Sequence, residues 1–183
     1  LVEATARIIH TGRSSMHIEV SVTSHDPRGG EPVEATSCLI IFVAVGDDGR
    51  SVEVPVWTPS TERDVEAQQS AVRRIDLRAE IEAAMAEQHY TPAGTAPREV
   101  LRFLAAPSDV NWGGKVHGGT VMRWIDEAAY VCAAGWNRGS AIAVYAGGVR
   151  FYRPLLIGSV VEVRARLVHT GRSSMHISVH VRS

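Results

Sequence analysis

The stretch L-V-E-A-T-A-R-I-I-H-T-G-R-S-S-M-H-I-E-V-S-V-T-S at residues 1–24 returns at residues 160–183 as V-V-E-V-R-A-R-L-V-H-T-G-R-S-S-M-H-I-S-V-H-V-R-S. The offset is 159 residues, and sixteen of the 24 positions are identical, including an unbroken H-T-G-R-S-S-M-H-I. Chance does not produce this, so the chain holds two copies of one unit. One period plus one repeated stretch accounts for the whole chain, so the expectation is two incomplete units. Each copy alternates as a half-buried strand does: Ile18, Val20 and Val22 share one face while His17, Glu19 and Ser21 take the other. The T-G-R-S between two such runs supplies the turn of a hairpin.

Outward from the first copy, D-P-R-G-G-E at 26–31 is a second turn. Residues 33–45 read as a strand, apolar on both faces from Cys38, as in a sheet covered on both sides. Asp47-Asp48-Gly49 turns into a short strand through Val54. P-S-T-E at 59–62 opens a helix running to about Glu87, acidic in its first turn as the helix dipole favours. Its apolar stripe of Val65, Val72, Ile75 and Ile81 is thin, and it reads as a solvated connector. Residues 91–97 are a linker. A strand at 99–105 and a glycine-rich loop at 108–119 precede a helix at 120–136 that is apolar nearly all round, hence buried. Residues 141–151 read as a strand, Arg153-Pro154 breaks it, and Gly158 turns into the second repeat. The expected class is α+β, an antiparallel sheet wrapped on one helix. The divisions are 1–58, 59–97 (helix and loop) and 98–183.

Composition narrows the function. The 183 residues are 45% hydrophobic and 21% charged, the balance of an ordinary globular protein. A net charge of -1 offers no global basic field for nucleic acid. The longest apolar run, 38–45, is far shorter than the roughly 20 residues that span a bilayer, and no signal segment precedes it. Cys38 and Cys132 lie in apolar runs and read as buried reduced thiols of a cytoplasmic protein. His10, His17, His169, His176 and His180 lack the ligand spacing of zinc or iron and read as sheet-surface residues. No metal and no cofactor is expected, and the phosphate-binding and nucleophile-elbow motifs are missing.

A few residues carry chemistry. Asp126 sits in the apolar helix, where a carboxylate is costly unless paired or used. The alternatives are that it caps a loop, or that Glu127 points inward and Asp126 is solvated. Gly118 and Gly119 start that helix and offer amide donors for an oxyanion, or simply make a tight turn. Asn111 orients a water or forms the loop. His117 is a candidate base, but nine residues before Asp126 it falls on the opposite helix face. Gly119 and Asp126 are nearly on one face but about 10 Å apart along the axis, so joint action on one carbonyl needs two units. Arg13 and Arg172, in the G-R-S-S turns, make either a phosphate contact or a solvated turn.

D-V-N-W-G-G-K-V-H-G-G at 109–119, W-I-D-E-A-A-Y at 124–130, V-R-F-Y-R-P-L-L-I-G-S at 149–159 and the doubled H-T-G-R-S-S-M resemble the hotdog-fold acyl-CoA thioesterases, whose members often carry tandem units. F-V-A-V-G-D-D-G and V-P-V-W-T-P-S-T after the first copy are similar to that family's last strand and following helix. The resemblance implies a hotdog fold, an acyl-CoA substrate and no cofactor beyond the coenzyme A of that substrate. It implies Asp126 as the catalytic carboxylate with Asn111 its partner across two hotdogs, and His117, Gly118 and Gly119 near the thioester carbonyl. It places Arg172, Ser173, Ser174 and Met175 near coenzyme A, with Arg13, Ser14, Ser15 and Met16 their equivalents. A homo-oligomer formed through the hotdog helix is expected, with no nucleic acid or membrane partner. By family order copy one lacks its loop and central helix and copy two its final strand. The chain is thus expected to be a piece of a tandem protein, or one completed by swapping. The rival readings are a hotdog hydratase or dehydratase, and a non-catalytic acyl-CoA-binding module.

Overall fold

The doubled stretch folds as two antiparallel hairpins, each built into its own three-stranded sheet. The computed structural model describes residues 1–89, 94–111, 113–137 and 139–183, so the linker expected at 91–97 lies partly outside the described residues. The chain divides into two compact units, Leu1–Gln88 and His89–Ser183. No helix among the described residues is long and apolar enough to cross a membrane.

In the first unit β1 (Val2–Thr11), β2 (Ser15–Ser24) and β3 (Val33–Val43) lie in that order. The T-G-R-S turn closes through the Gly12 amide, which donates to the Ser15 carbonyl at 2.9 Å. After β3 the chain returns over the hairpin tip. The Ala44 amide donates to Ser14 O, Val54 to Arg13 O, and Trp57 to the Thr11 hydroxyl. An isolated bridge between Val45 and Ser51 stands where a short strand was expected. Helix α1 (Glu62–Ala86) follows, its first turn closed by a reciprocal cap in which the Thr61 hydroxyl and the Asp64 carboxylate each accept the other's backbone amide.

Helix α1 is not the solvated connector its composition suggested. It packs against β1 and buries Ala71, while Val65 and Val72 of the expected stripe are exposed. Arg7 of β1 bonds Glu19 of β2 at 2.8 Å and approaches Asp64 of α1 at 3.9 Å, so α1 lies over the polar face of the sheet. The apolar face is left open. Cys38 sits on it, exposed rather than buried as expected, and β3 is an edge strand rather than the centre of a covered sheet.

His17, expected on the surface, is only 3% exposed. Its ring meets His10 edge to face at 5.0 Å, and the Nδ1 atoms of both are buried with no partner among the described residues. Burial, the His10 ring and Arg78 of α1 together hold the His17 pKa below its ordinary 6.5. The docked state therefore favours the neutral ring. Its contribution is fully present above 6.5 and is lost as the pH falls through the lowered folded value. Amide exchange in α1, corrected for its intrinsic pH dependence, should rise several-fold between about pH 7.5 and about pH 5.5. A His17→Asn variant should lose that dependence.

The second unit orders β4 (Arg98–Leu104), β5 (Val160–Thr170) and β6 (Met175–Arg182), with α2 (Gly118–Asn137) packed on one face. Val161, Val163, Ala165 and Leu167 of β5 point into a core with Val121, Trp124, Ala128 and Cys132 of α2. Phe103 of β4 contacts Trp124 edge to face at 4.7 Å. The α+β expectation holds, but α2 is buried on its sheet side alone: Asp126, Glu127, Tyr130 and Trp136 are exposed. Residues 141–151 form no strand. Their alternating apolar side chains, such as Ile142 at 84% and Val144 at 85% exposed, find no neighbouring strand among the described residues to pair with, and an unpaired strand does not hold its backbone.

Candidate active site

The loop before α2 is tied down by its own backbone. A single 3₁₀ turn at Pro107–Asp109 is capped by the Asp109 carboxylate, which accepts the Ala106 amide at 3.1 Å. Val110 bridges Val116, and Lys115 bridges Leu156. Asn111 is the organiser of this loop. Its Oδ1 accepts the amides of Gly113 and Lys115 at 2.9 and 3.0 Å, so the side-chain NH₂ is the group it has to offer a ligand. The two readings of Asn111 thus meet in one residue: it forms the loop, and it also lines the cavity described next.

Helix α2 is started by His117. Its Nδ1 accepts the Gly119 amide at 3.0 Å, and its carbonyl accepts those of Thr120 and Val121 at 3.0 and 3.2 Å. A lone pair on Nδ1 puts the ring proton on Nε2. A Cβ on residue 119 would come within 3.1 Å of the His117 ring, so a side chain there would push on the cap. The Gly119 amide is therefore engaged by His117, which caps the helix.

Beside this helix start lies a cavity of about 320 Å³, lined by Asn111, Lys115 and Gly118 on one side and by Phe151, Tyr152 and Arg153 on the other. Of the sequence candidates, Asn111 and Gly118 line it; Asp126, His117, Gly119 and the residues of the two G-R-S-S turns do not. Asp126 is exposed on the face of α2 turned away from its own sheet. Lys115 and Arg153 went unnoticed as site residues, although Lys115 is the single lysine in a chain of eighteen arginines. The two G-R-S-S turns also differ. Arg172, Ser173 and Ser174 are exposed at the β5–β6 tip, with Met175 half-buried behind them. Ser14 and Ser15 are half-buried, because the chain after β3 bonds back onto the tip beside Arg13.

A helix laid on an antiparallel sheet, with a ligand-sized cavity at the helix N-terminus, defines an α+β protein of the hotdog type. Residues 113–183 match the Thioesterase superfamily. The chain is 35% identical over 97 residues to the acyl-CoA thioester hydrolase YciA of Escherichia coli, covering 53% of this chain and 71% of the relative. It is 34% identical over 88 residues to an uncharacterised acyl-CoA thioester hydrolase of Zymomonas mobilis, covering 48% of this chain and 59% of the relative. Among solved structures it is similar to an apo-hexameric acyl-CoA thioesterase, at 32% identity and a TM-score of 0.43, over 45% of this chain and 53% of that one. The chain belongs to the thioesterase superfamily. It spans between about half and about seven-tenths of the length of these relatives.

Proposed function

We propose that this chain takes part in hydrolysing acyl-CoA thioesters to the free acid and coenzyme A, in the cytoplasm and as a homo-oligomer. The observation that carries this reading is the cavity at the start of α2, bounded by Asn111 and Gly118 and flanked by the cations Lys115 and Arg153. It lies largely within the stretch that matches the superfamily. The cations suit the phosphates of coenzyme A, and Phe151 and Tyr152 offer the apolar surface an acyl or adenine group needs.

Hydrolysis needs a water oxygen delivered to the thioester carbon, charge stabilised on the carbonyl oxygen, and a departing thiolate. A thiol has a pKa of roughly 8.5, so the leaving group needs little help from an acid. The Asp126 carboxylate either takes a proton from the attacking water or attacks the carbon itself, giving a mixed anhydride that water then opens. Asn111 NH₂ and the amide of Gly118 are the donors available to the oxyanion. Since Asp126 does not line the cavity of its own unit, it serves the cavity of another.

The test is thiol release across a panel of acyl-CoA lengths. Arg153→Ala should raise KM about tenfold and leave kcat nearly unchanged, since a charged hydrogen bond to a bound phosphate is lost equally in ground and transition states. The exposure of Asp126 favours a second reading, a module that binds acyl-CoA without cleaving it. Saturable binding with no thiol release at any protein concentration would establish that alternative.

A further inference from the structure

The two copies of the repeat differ at eight of 24 positions, and the differences are not scattered. Four of them exchange one apolar residue for another. In the other four, Thr5 is matched by Arg164, Glu19 by Ser178, Ser21 by His180 and Thr23 by Arg182. Each of these adds a base or removes an acid. In the second unit all four lie between residues that pack with α2, so they share the opposite, outer face of the sheet. Glu3, Arg7 and Glu19 leave this face of copy one at -1, whereas Glu162, Arg164, Arg166 and Arg182 bring that of copy two to +2. Strand β4 adds Arg98 and Arg102 to the outer face and raises it to +4. The strand register gathers these charges into one patch. Glu162 stands between Arg102 and Arg182, Arg164 between Val100 and His180, and Arg98 directly opposite Arg166. Like charges placed directly opposite weaken a strand pair, so folding alone gives no reason for the last of these. Glu162 is the one acid that the three strands direct to this face. It accepts from Arg102 at 2.6 Å and from Arg164, and offsets only part of the charge. Apolar side chains share the surface: Leu104 and Val160, paired at its edge, are 64% and 62% exposed, and Val100 is 48% exposed among the arginines.

We infer that the outer face of the second sheet docks on the surface of an anionic phospholipid bilayer. Guanidinium groups engage phosphate oxygens with paired hydrogen bonds, and this face offers five of them on three strands. Leu104, Val160 and Val100 can enter the headgroup region beside those arginines, whereas a soluble polyanion would leave them in water. The patch is a pleated surface and not a concave pocket, which suits an extended array of charges better than one small anion. No helix among the described residues is long and apolar enough to cross a membrane, and a surface contact needs none. A membrane partner was not expected from the total charge of -1, but a total averages over faces that a bilayer meets one at a time. Docking there also suits hydrolysis of acyl-CoA, because substrate and product carry acyl chains that partition into bilayers. That last argument rests on the proposed function; the charge pattern does not.

The test is co-sedimentation of the intact chain with phosphatidylcholine vesicles, with and without phosphatidylglycerol, at low and high salt. Binding should require the anionic lipid and fall as salt rises. Arg164→Thr, Ser178→Glu, His180→Ser and Arg182→Thr together return the face to its copy-one residues, which already form strands in β1 and β2. That variant should lose at least tenfold in partitioning, since each arginine near an anionic surface is worth about fivefold. Arg182→Thr alone, at an exposed position, should cost about fivefold. Leu104→Ser with Val160→Ser should weaken vesicle binding several-fold and leave any binding of soluble polyglutamate unchanged. The inference is overturned if anionic vesicles are not bound at low salt, if neutral vesicles are bound equally well, or if binding survives unweakened in both arginine variants. Polyglutamate bound as tightly as the vesicles, with the Leu104 and Val160 variant binding vesicles like the parent chain, also overturns it and points to an acidic protein partner. Thiol release has no part in this readout, so its failure and that of the hydrolase reading are separate results.

Discussion

Asp126→Asn lowers the rate of thiol release by about 10²- to 10⁴-fold, the range expected when a general base is removed from its reaction. A carboxylate used as nucleophile gives a loss at least as large. The drop should fall on kcat and kcat/KM alike, because in the proposed route the group acts in the chemical step rather than on the coenzyme A handle. Because Asp126 is exposed and, among the described residues, bonds to nothing in the core, its replacement should move unfolding stability by less than about 0.5 kcal/mol. Lost turnover in that variant cannot then be assigned to lost structure. Glu127 is the natural control. It is exposed beside Asp126 and approaches Arg123 at 3.8 Å, and Glu127→Gln should keep nearly full turnover. If Asp126→Asn keeps more than about a tenth of the rate, the carboxylate has no part in the chemical step. Single-turnover hydrolysis in ¹⁸O-labelled water then separates the two routes: label found in the Asp126 side chain requires an anhydride and excludes the simple base.

Local pattern and coverage separate cleanly in this chain. The hairpins were legible because Ile18, Val20 and Val22 alternate with polar residues, and because T-G-R-S has the chemistry of a turn. Helix α1 was legible from its P-S-T-E start and acidic first turn, and α2 from its long apolar run. What the pattern does not contain is which face of a sheet receives a helix. Ile177 and Ile18 stand in identical sequence, yet one packs beneath α2 while the other lies on an open face. Cys38 is exposed for the same reason, and α1 packs on β1 despite its thin stripe because a helix that docks on polar side chains needs no wide apolar one. Residues 141–151 have the alternation of a strand, but a strand exists only with a partner. The site divides in the same way. The glycine-rich loop was located from sequence, whereas His117 as the helix cap depends on a side-chain nitrogen meeting an amide. Lys115 and Arg153 become site residues only when the loop folds against residues 151–155.

The same asymmetry sets the largest expected stability difference, between Val163→Asp and its repeat equivalent Ala4→Asp. Val163 is fully buried beneath α2. Replacing it forfeits about 1.5–3 kcal/mol of apolar burial and places a carboxyl group within a cluster of apolar side chains. The total should reach about 4–5 kcal/mol or more, a large share of the roughly 5–15 kcal/mol that holds a domain folded. Unit 2 of the variant should therefore unfold at a much lower urea concentration than unit 2 of the parent chain. Ala4 occupies the matching place on the first sheet, but it is exposed. An aspartate there keeps its water, so Ala4→Asp should shift the unfolding midpoint of unit 1 by no more than about 0.5 kcal/mol. Two aspartates introduced at homologous positions of repeated strands should thus differ about tenfold in their effect on stability. Equal destabilisation would mean that the first apolar face is already covered in solution by the chain itself, and unchanged stability of Val163→Asp would mean that α2 does not rest on β5.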